Sequence, residues 1–221
     1  MIKYINLFKK LGSRSSFGAL VDRICYFALH NIGLLWKLEL VLRGAGSFLS
    51  VRSMTILGRP IVSLAIGSKI DFGRNVILMS SSRFCLSSSL YAPCNIKCIY
   101  ASAKILIGDD VSLNGTSIVC RSSKIKIGAR TMIAPNVTIM DSSFHYLWPL
   151  NMRNTYSTVE LDKPIEIGED VWIGSQVIIL PGSKIGTGSV IGAGSIVSGE
   201  IPSNSLAVGS PAKVVKKIDA I

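Results

Sequence analysis

The chain has two histidines, His30 and His145, and the second follows Asp141 by four residues in a polar, aromatic stretch. An imidazole titrates near neutral pH, so a histidine can take the proton from an attacking alcohol and later return it to a leaving group. An aspartate such as Asp141, or a backbone carbonyl, could fix its tautomer. A loop histidine on its own is more often a plain surface residue, so its reading depends on what holds it. His30 falls in a stretch with helical spacing and reads as structural. The five cysteines, Cys25, Cys85, Cys94, Cys98 and Cys120, are odd in number and not spaced as a disulfide framework. They read as reduced, mostly buried thiols of a reducing compartment. Cys94 and Cys98 lack the second pair or nearby histidine that a zinc site needs, so no metal is expected.

What positions His145 is a repeat. Ile167, Ile173, Ile179, Ile185, Ile191 and Val197 lie six apart, and Val171, Val177, Ser183, Ser189, Ser195 and Ile201 form a second series at the same interval. A period of six fits neither a helix nor a simple alternating strand. It fits a chain that turns a corner every six residues, one aliphatic side chain per side pointing inward, three sides to a coil. A degenerate form runs earlier: Ile66, Phe72 and Leu78; Ile107, Leu113 and Val119; Ile127, Ile133 and Ile139. The slip between Val119 and Ile127 implies a bulge or a corner insertion. Between Ile139 and Ile167 the repeat stops for 28 residues, more than one coil. A loop that leaves a rigid solenoid and returns is a natural place for function.

The chain therefore divides into a helical N-terminal segment (1–45), a repeat domain (46–208) with an excursion loop at 141–164, and a basic C-terminal cap (209–221). Within 19–42, Val21, Ile24, Phe27, Ala28, Leu35, Leu38 and Leu42 recur at helical spacing, interrupted by Arg23, His30, Asn31, Lys37 and Glu39. This is too polar for a membrane span and reads as an amphipathic helix that packs on a partner subunit or lies on a membrane surface. Residues 1–11 do not read as a secretory signal, which points to a cytoplasmic protein, membrane-peripheral if the helix meets lipid.

Hydrophobic residues make up 48% of the 221 and charged residues only 17%, which suits a solenoid whose outer faces are covered in an oligomer. The net charge of +11 favours anionic partners. No basic stripe interleaved with aromatics accompanies it, so nucleic acid ranks low.

The stretches 127–139, 141–145, 163–174, 181–186, 190–197 and 209–215 together resemble the hexapeptide-repeat acyltransferases. The likeness is nearest to the coenzyme A-dependent O-acetyltransferases of capsular and lipopolysaccharide sugars. The resemblance implies an all-β fold, a left-handed parallel β-helix, and a homotrimer with active sites between neighbouring subunits. It implies acetyl-CoA as cosubstrate and a glycan or its precursor as acceptor. It places His145 as the general base, with Asp141 in the same motif, and Asn114 and Trp172 at the acceptor and the reaction centre. Trp172, Gly174, Ser175, Ala193, Ser198, Lys213 and Lys216 fall at coenzyme A-contacting positions. Ser198-Gly199 stands where the family often has Thr-Lys, which removes one cation from the nucleotide contact. N-acetylation of an amino sugar, O-acetylation of an antibiotic and a non-enzymatic scaffold are the rival readings. The carbonic anhydrases of this fold need three zinc-binding histidines, which His145 alone cannot supply.

Overall fold

A computed structural model describes residues 33–153 and 157–218. Three parallel sheets form the sides of a prism. The first face stacks Thr55–Leu57, Ile77–Met79, Ser112–Asn114, Met132–Ile133, Trp172–Ile173, Val190–Ile191 and Ser205–Gly209, closed by the antiparallel strand Ala212–Lys217. The second stacks Ile61–Leu64, Asn95–Cys98, Ser117–Cys120, Thr138–Met140, Ile178–Ile179 and Ile196–Val197. The third stacks Lys69–Phe72, Lys104–Ile107, Lys124–Ile127, Ile165–Ile167, Lys184–Ile185 and Glu200–Ile201. Successive strands fall on different faces, so the chain winds as a left-handed parallel β-helix.

Short strands suffice because each buries one face only and hydrogen-bonds to the coils above and below. The registers align the inward residues in columns, such as Leu78, Leu113, Ile133, Ile173, Ile191 and Ala207 on the first face. All of these are buried, as are Ile127, Ile139, Ile167, Ile179 and Ile185. Aliphatic side chains stacked coil on coil give one continuous core, and burying each leucine or isoleucine contributes about 1.5–3 kcal/mol. The serines of the offset series turn inward at the corners. Ser183 Oγ donates to Leu180 O at 2.7 Å and Ser189 Oγ to Pro202 O at 2.7 Å, so neither hydroxyl is left unpaired.

Two members of the early series do not point inward. Ile66 is 98% exposed at the tip of a corner, and the buried positions there are Val62 and Ile70. Val119 faces outward while Ile118 and Cys120 are buried. Ile66 belongs to the turn between Ile61–Leu64 and Lys69–Phe72 and to no strand, whereas for Val119 the reason lies in the corner lengths. Leu113 to Ile118 spans five residues and Ile118 to Ile127 spans nine, where the regular repeat spans six. Because side chains alternate along a strand, a one-residue change at a corner flips the whole strand. The long corner is the insertion expected between Val119 and Ile127, and it carries Arg121, Ser122 and Ser123.

Residues 33–42 are helical, followed by the short helix Phe48–Ser53, which Ser47 caps by accepting from Ser50 N–H. Leu40 and Val51 are buried against the first coil, whereas Leu34, Leu35, Leu38 and Leu42 are exposed. The remainder of the amphipathic stretch expected over 19–42, with His30 and Cys25, lies outside the described residues. Among the described residues no helix is long and apolar enough to cross a membrane. The basic tail is a strand: Lys213 pairs with Val208 and Lys216 with Leu206, covering the edge of the last coil.

Candidate functional site

The excursion leaves the edge between the second and third faces after Met140 and returns at Ile165. His145 is exposed on it, and its Nδ1–H donates to the backbone carbonyl of Arg153 at 2.9 Å. Arg153 is held in turn by Tyr146 O, which accepts from Nε at 3.3 Å, and by Leu147 O, which accepts from Nη2 at 3.0 Å. A carbonyl can only accept, so this bond places a proton on Nδ1, and in the neutral imidazole the lone pair is then on Nε2. Of the two ways to fix the tautomer, the backbone carbonyl is the one used. Tyr146 also donates to Glu160, so the two limbs of the loop are tied together; that bond raises the phenol pKa and lowers the carboxyl pKa.

Asp141, expected as a catalytic partner, is instead a buried cap at the root of the loop. Its carboxylate accepts the backbone N–H of Arg121 at 2.6 Å, of Ser122 at 3.3 Å and of Ser123 at 2.9 Å, together with the Cys120 thiol at 3.3 Å. These partners fill it from the turn side, opposite in role to orienting an imidazole. Its backbone carbonyl also accepts Lys163 N–H at 3.0 Å, joining the two ends of the excursion.

The other expected positions gather elsewhere. Asn114, Gly174, Ser175 and Ala193 form one column on the edge between the first and second faces. A backbone ladder runs through it: Asn136 N–H to Asn114 O at 3.1 Å, Gln176 N–H to Pro135 O at 2.9 Å, and Gly194 N–H to Ser175 O at 2.9 Å. Asn114 Nδ2 donates to Ile133 O at 2.6 Å. Gly174 is required here because a Cβ would lie 2.6 Å from Ala193 N. Trp172 stands on the outer side of the first face, 53% exposed, beside Met132 at 55%. Its rung continues through Val190 and Leu206 to Lys216, three strand spacings or about 14 Å away. Lys213 is exposed on the same closing strand. Ser198 is separate from this group. It sits on the edge between the second and third faces, the same edge from which the His145 loop departs. One chain thus carries His145 and Ser198 on one edge, and the Asn114–Ala193 column on another.

The repeat pattern also passes over a second excursion. Between Ile77–Met79 and Asn95–Cys98 the chain makes a serine-rich loop over residues 80–94. It docks on the Asn114 edge: Tyr91 N–H donates to Asn136 Oδ1 at 2.9 Å, Asn136 Nδ2 to Ser89 O at 3.1 Å, and Gln176 Nε2 pairs with the Tyr91 hydroxyl. The signal was the 34-residue interval from Val62 to Ile96, nearly two coils for one turn. Two shallow depressions lie on the third face, around Glu166, Lys184 and Glu200 and around Asp71, Lys126 and Glu169. Neither is lined by His145, Asn114 or Trp172.

Three buried thiols, those of Cys94, Cys98 and Cys120, are unsuited to attack. Cys94 is fully buried and its pKa is raised by desolvation, and Cys98 is pushed up to about 11 by the same cause. Cys120 is raised by burial and by the neighbouring Asp141. A thiol is nucleophilic as the thiolate, and none of these three forms one near neutral pH.

Residues 164–199 match the bacterial transferase hexapeptide (six repeats) family model. Over 121 residues the chain is 40% identical to "Putative acetyltransferase YJL218W" of Saccharomyces cerevisiae, covering 55% of this chain and 59% of that one. Over 95 residues it is 48% identical to "Putative acetyltransferase C18B11.09c" of Schizosaccharomyces pombe, covering 43% and 44%. The matches thus span about half the length of these relatives. Among solved structures, the polysialic acid O-acetyltransferase OatWY superposes with a TM-score of 0.50 at 21% identity over 76% of this chain and 88% of that one, a likeness of fold. Residues 164–199 thus carry the six-residue repeat of that family model, and the three-sided coil formed by the described residues continues the same arrangement on either side of it.

Proposed function

We propose that the protein transfers an acetyl group from acetyl-CoA to a hydroxyl of a glycan or glycan precursor, with His145 as general base. The observation that carries this reading is the 2.9 Å bond from His145 Nδ1 to Arg153 O, which leaves Nε2 as a free acceptor on an exposed loop. A sugar hydroxyl is a weak nucleophile at neutral pH. Nε2 removes its proton as the oxygen attacks the thioester carbonyl, forming the C–O bond. The tetrahedral oxyanion then collapses, the C–S bond breaks, and the imidazolium returns the proton to the coenzyme A thiolate. Backbone N–H groups are the natural donors for the oxyanion at a solenoid edge. Since the thioester is already activated, no acyl-enzyme is needed, in keeping with the raised pKa values of Cys94, Cys98 and Cys120.

The site is composed between two copies of the chain. His145 and the Asn114–Ala193 column occupy different edges of one prism, and a homotrimer sets one edge against another. Leu147, Trp148 and Leu150 are 85%, 74% and 60% exposed on the His145 loop, an apolar arm suited to lie on a neighbouring copy. In this arrangement the pantetheine arm follows the Gly174–Ala193 column past Trp172. Its phosphates reach Lys213 and Lys216, and the acceptor meets Asn114. Asp141 serves as a positioning residue at the loop root. The exposed Leu34, Leu35, Leu38 and Leu42, flanked by Arg43 and Arg52, favour a lipid surface as the place where a lipid-linked precursor is met.

The test is acetyl transfer from acetyl-CoA to a panel of glycans, sugars and nucleotide sugars, with the modified atom mapped by NMR. Acetylation at oxygen, lost in His145→Ala, is the expected result. Acetylation at nitrogen alone, with activity kept in His145→Ala, would replace this reading by N-transfer, because an amine needs less help from a base.

A further inference from the structure

The loop that carries His145 is anchored by a buried ion pair that the chemistry above does not use. Arg121 and Asp162 are 8% and 2% exposed, whereas in the pairs made by Arg43, Arg59, Lys69, Arg74 and Arg130 both members are at least 35% exposed. The pairing is bidentate. Nε donates to Asp162 Oδ1 at 3.1 Å and Oδ2 at 2.9 Å, and Nη2 to Oδ1 at 2.6 Å. Ser122 Oγ adds a bond to Oδ2 at 2.5 Å. The guanidinium carbon also lies 5.3 Å from the ring centroid of Phe144, the residue before the histidine. Phe144 has a left-handed backbone, with φ 64°, and its N–H donates to Ser142 Oγ at 2.9 Å. Arg121 therefore touches every part of the root: the outgoing strand through Asp141, the returning strand through Asp162, and the turn into His145 through Phe144.

A charged device is not needed merely to close a corner. One coil further along the same edge, Leu180 to Ser183 turns without any charged group: Ser183 N–H donates to Leu180 O at 3.2 Å, and its hydroxyl reaches Leu180 O at 2.7 Å and Val197 O at 3.0 Å. Burying an ion pair brings little net stability over an apolar pair of similar volume, because desolvation offsets the attraction. What a bidentate guanidinium supplies that apolar contacts do not is fixed direction. We infer that Arg121, locked by Asp162 and stacked on Phe144, is a positioning residue that aims the imidazole of His145. This inference rests on the reading of His145 as the base.

The variants are Phe144→Leu, which keeps the ion pair, and the double exchange Arg121→Met with Asp162→Leu, which leaves no charge unpaired. Displacement of a reacting group by about 1 Å costs on the order of 10²-fold. Both variants should therefore lower kcat by about 10- to 100-fold, with KM for acetyl-CoA changed less than about threefold. The ¹⁵N spectrum of the histidines should show His145 as a single tautomer, protonated at Nδ1, in the wild type and as a mixture in the variants. A structural staple alone would alter melting but leave the kcat/KM split and the tautomer unmoved. If either folded variant keeps wild-type kcat and one tautomer while His145→Ala is inactive, the positioning role is overturned. Should the double exchange fail to fold, Phe144→Leu decides. Full activity in His145→Ala would remove the base reading and this inference together.

Discussion

A site shared between copies makes a quantitative prediction. Consider two variants, His145→Ala and Trp172→Ala, each altering an exposed side chain, so the fold should tolerate both. Loss of a general base costs roughly 10²- to 10⁴-fold in kcat. For Trp172 the cost follows from its surface. An indole side chain presents about 200 Å², of which 53% is free in the isolated chain. Covering about 100 Å² by the pantetheine arm at ~25 cal/mol/Å² is worth about 2.5 kcal/mol, or on the order of 70-fold in kcat/KM. Each variant is thus nearly inactive when pure. In assemblies formed from equal amounts of the two, refolded together or co-expressed with different tags, half the copies keep His145 and half keep Trp172. A site using one group from each of two adjacent copies is intact at about one interface in four. The mixture should recover about a quarter of wild-type acetyl transfer, measured by coenzyme A release with a thiol reagent. If all groups come from one chain, no mixed assembly contains an intact site. Recovery no greater than the mean of the parents, in a mixture verified as mixed, would refute the shared-site geometry.

Three further outcomes follow from the same structure. Alkylation at pH 7.5 should leave Cys94, Cys98 and Cys120 unmodified in the folded protein and label them after unfolding, read by peptide mass, because burial holds all three as thiols. Burial alone would raise the Asp162 pKa, but hydrogen bonds from Arg121, Ser122 and Ser142 outweigh it and hold the carboxyl below its ordinary value. Its contribution is therefore complete above about pH 4 and fades as pH falls through the lower folded value. Asp162→Asn should lose about 3–5 kcal/mol at pH 7 by urea unfolding, with a smaller deficit at pH 3. Lys213→Ala and Lys216→Ala should each weaken coenzyme A a few-fold, with a smaller effect on acetyl-pantetheine, which lacks the nucleotide phosphates; equal effects on both would remove the lysines from the phosphate contact.

The parts of the molecule that could be read along the chain are those governed by local period. Ile167 to Val197 recur every six residues because each side of the coil repeats the same backbone path, and the strand columns follow that register. The break after Ile139 exposed the excursion and its histidine for the same reason. Where corner length varies, the period misleads. Ile66 and Val119 fit the interval, yet neither points inward: Ile66 falls on a turn between strands, and the five- and nine-residue corners on either side of Ile118 shift the alternation at Val119. Pairing across coils leaves no period at all. Arg121 meets Asp162 over a separation of 41 residues, Tyr91 meets Asn136 over 45, and His145 takes its tautomer from a carbonyl eight residues on, which carries no side-chain signature. Asp141 shows the difference most plainly. Its spacing to His145 suggested a partner, but three backbone N–H groups of the Arg121–Ser123 turn satisfy its charge. Repetition writes the core into the order of residues, since every coil solves the same packing problem. Directional bonds between distant turns come into being only when the coils stack, and they decided which backbone groups hold Asp141 at the loop root and which carboxylate meets Arg121.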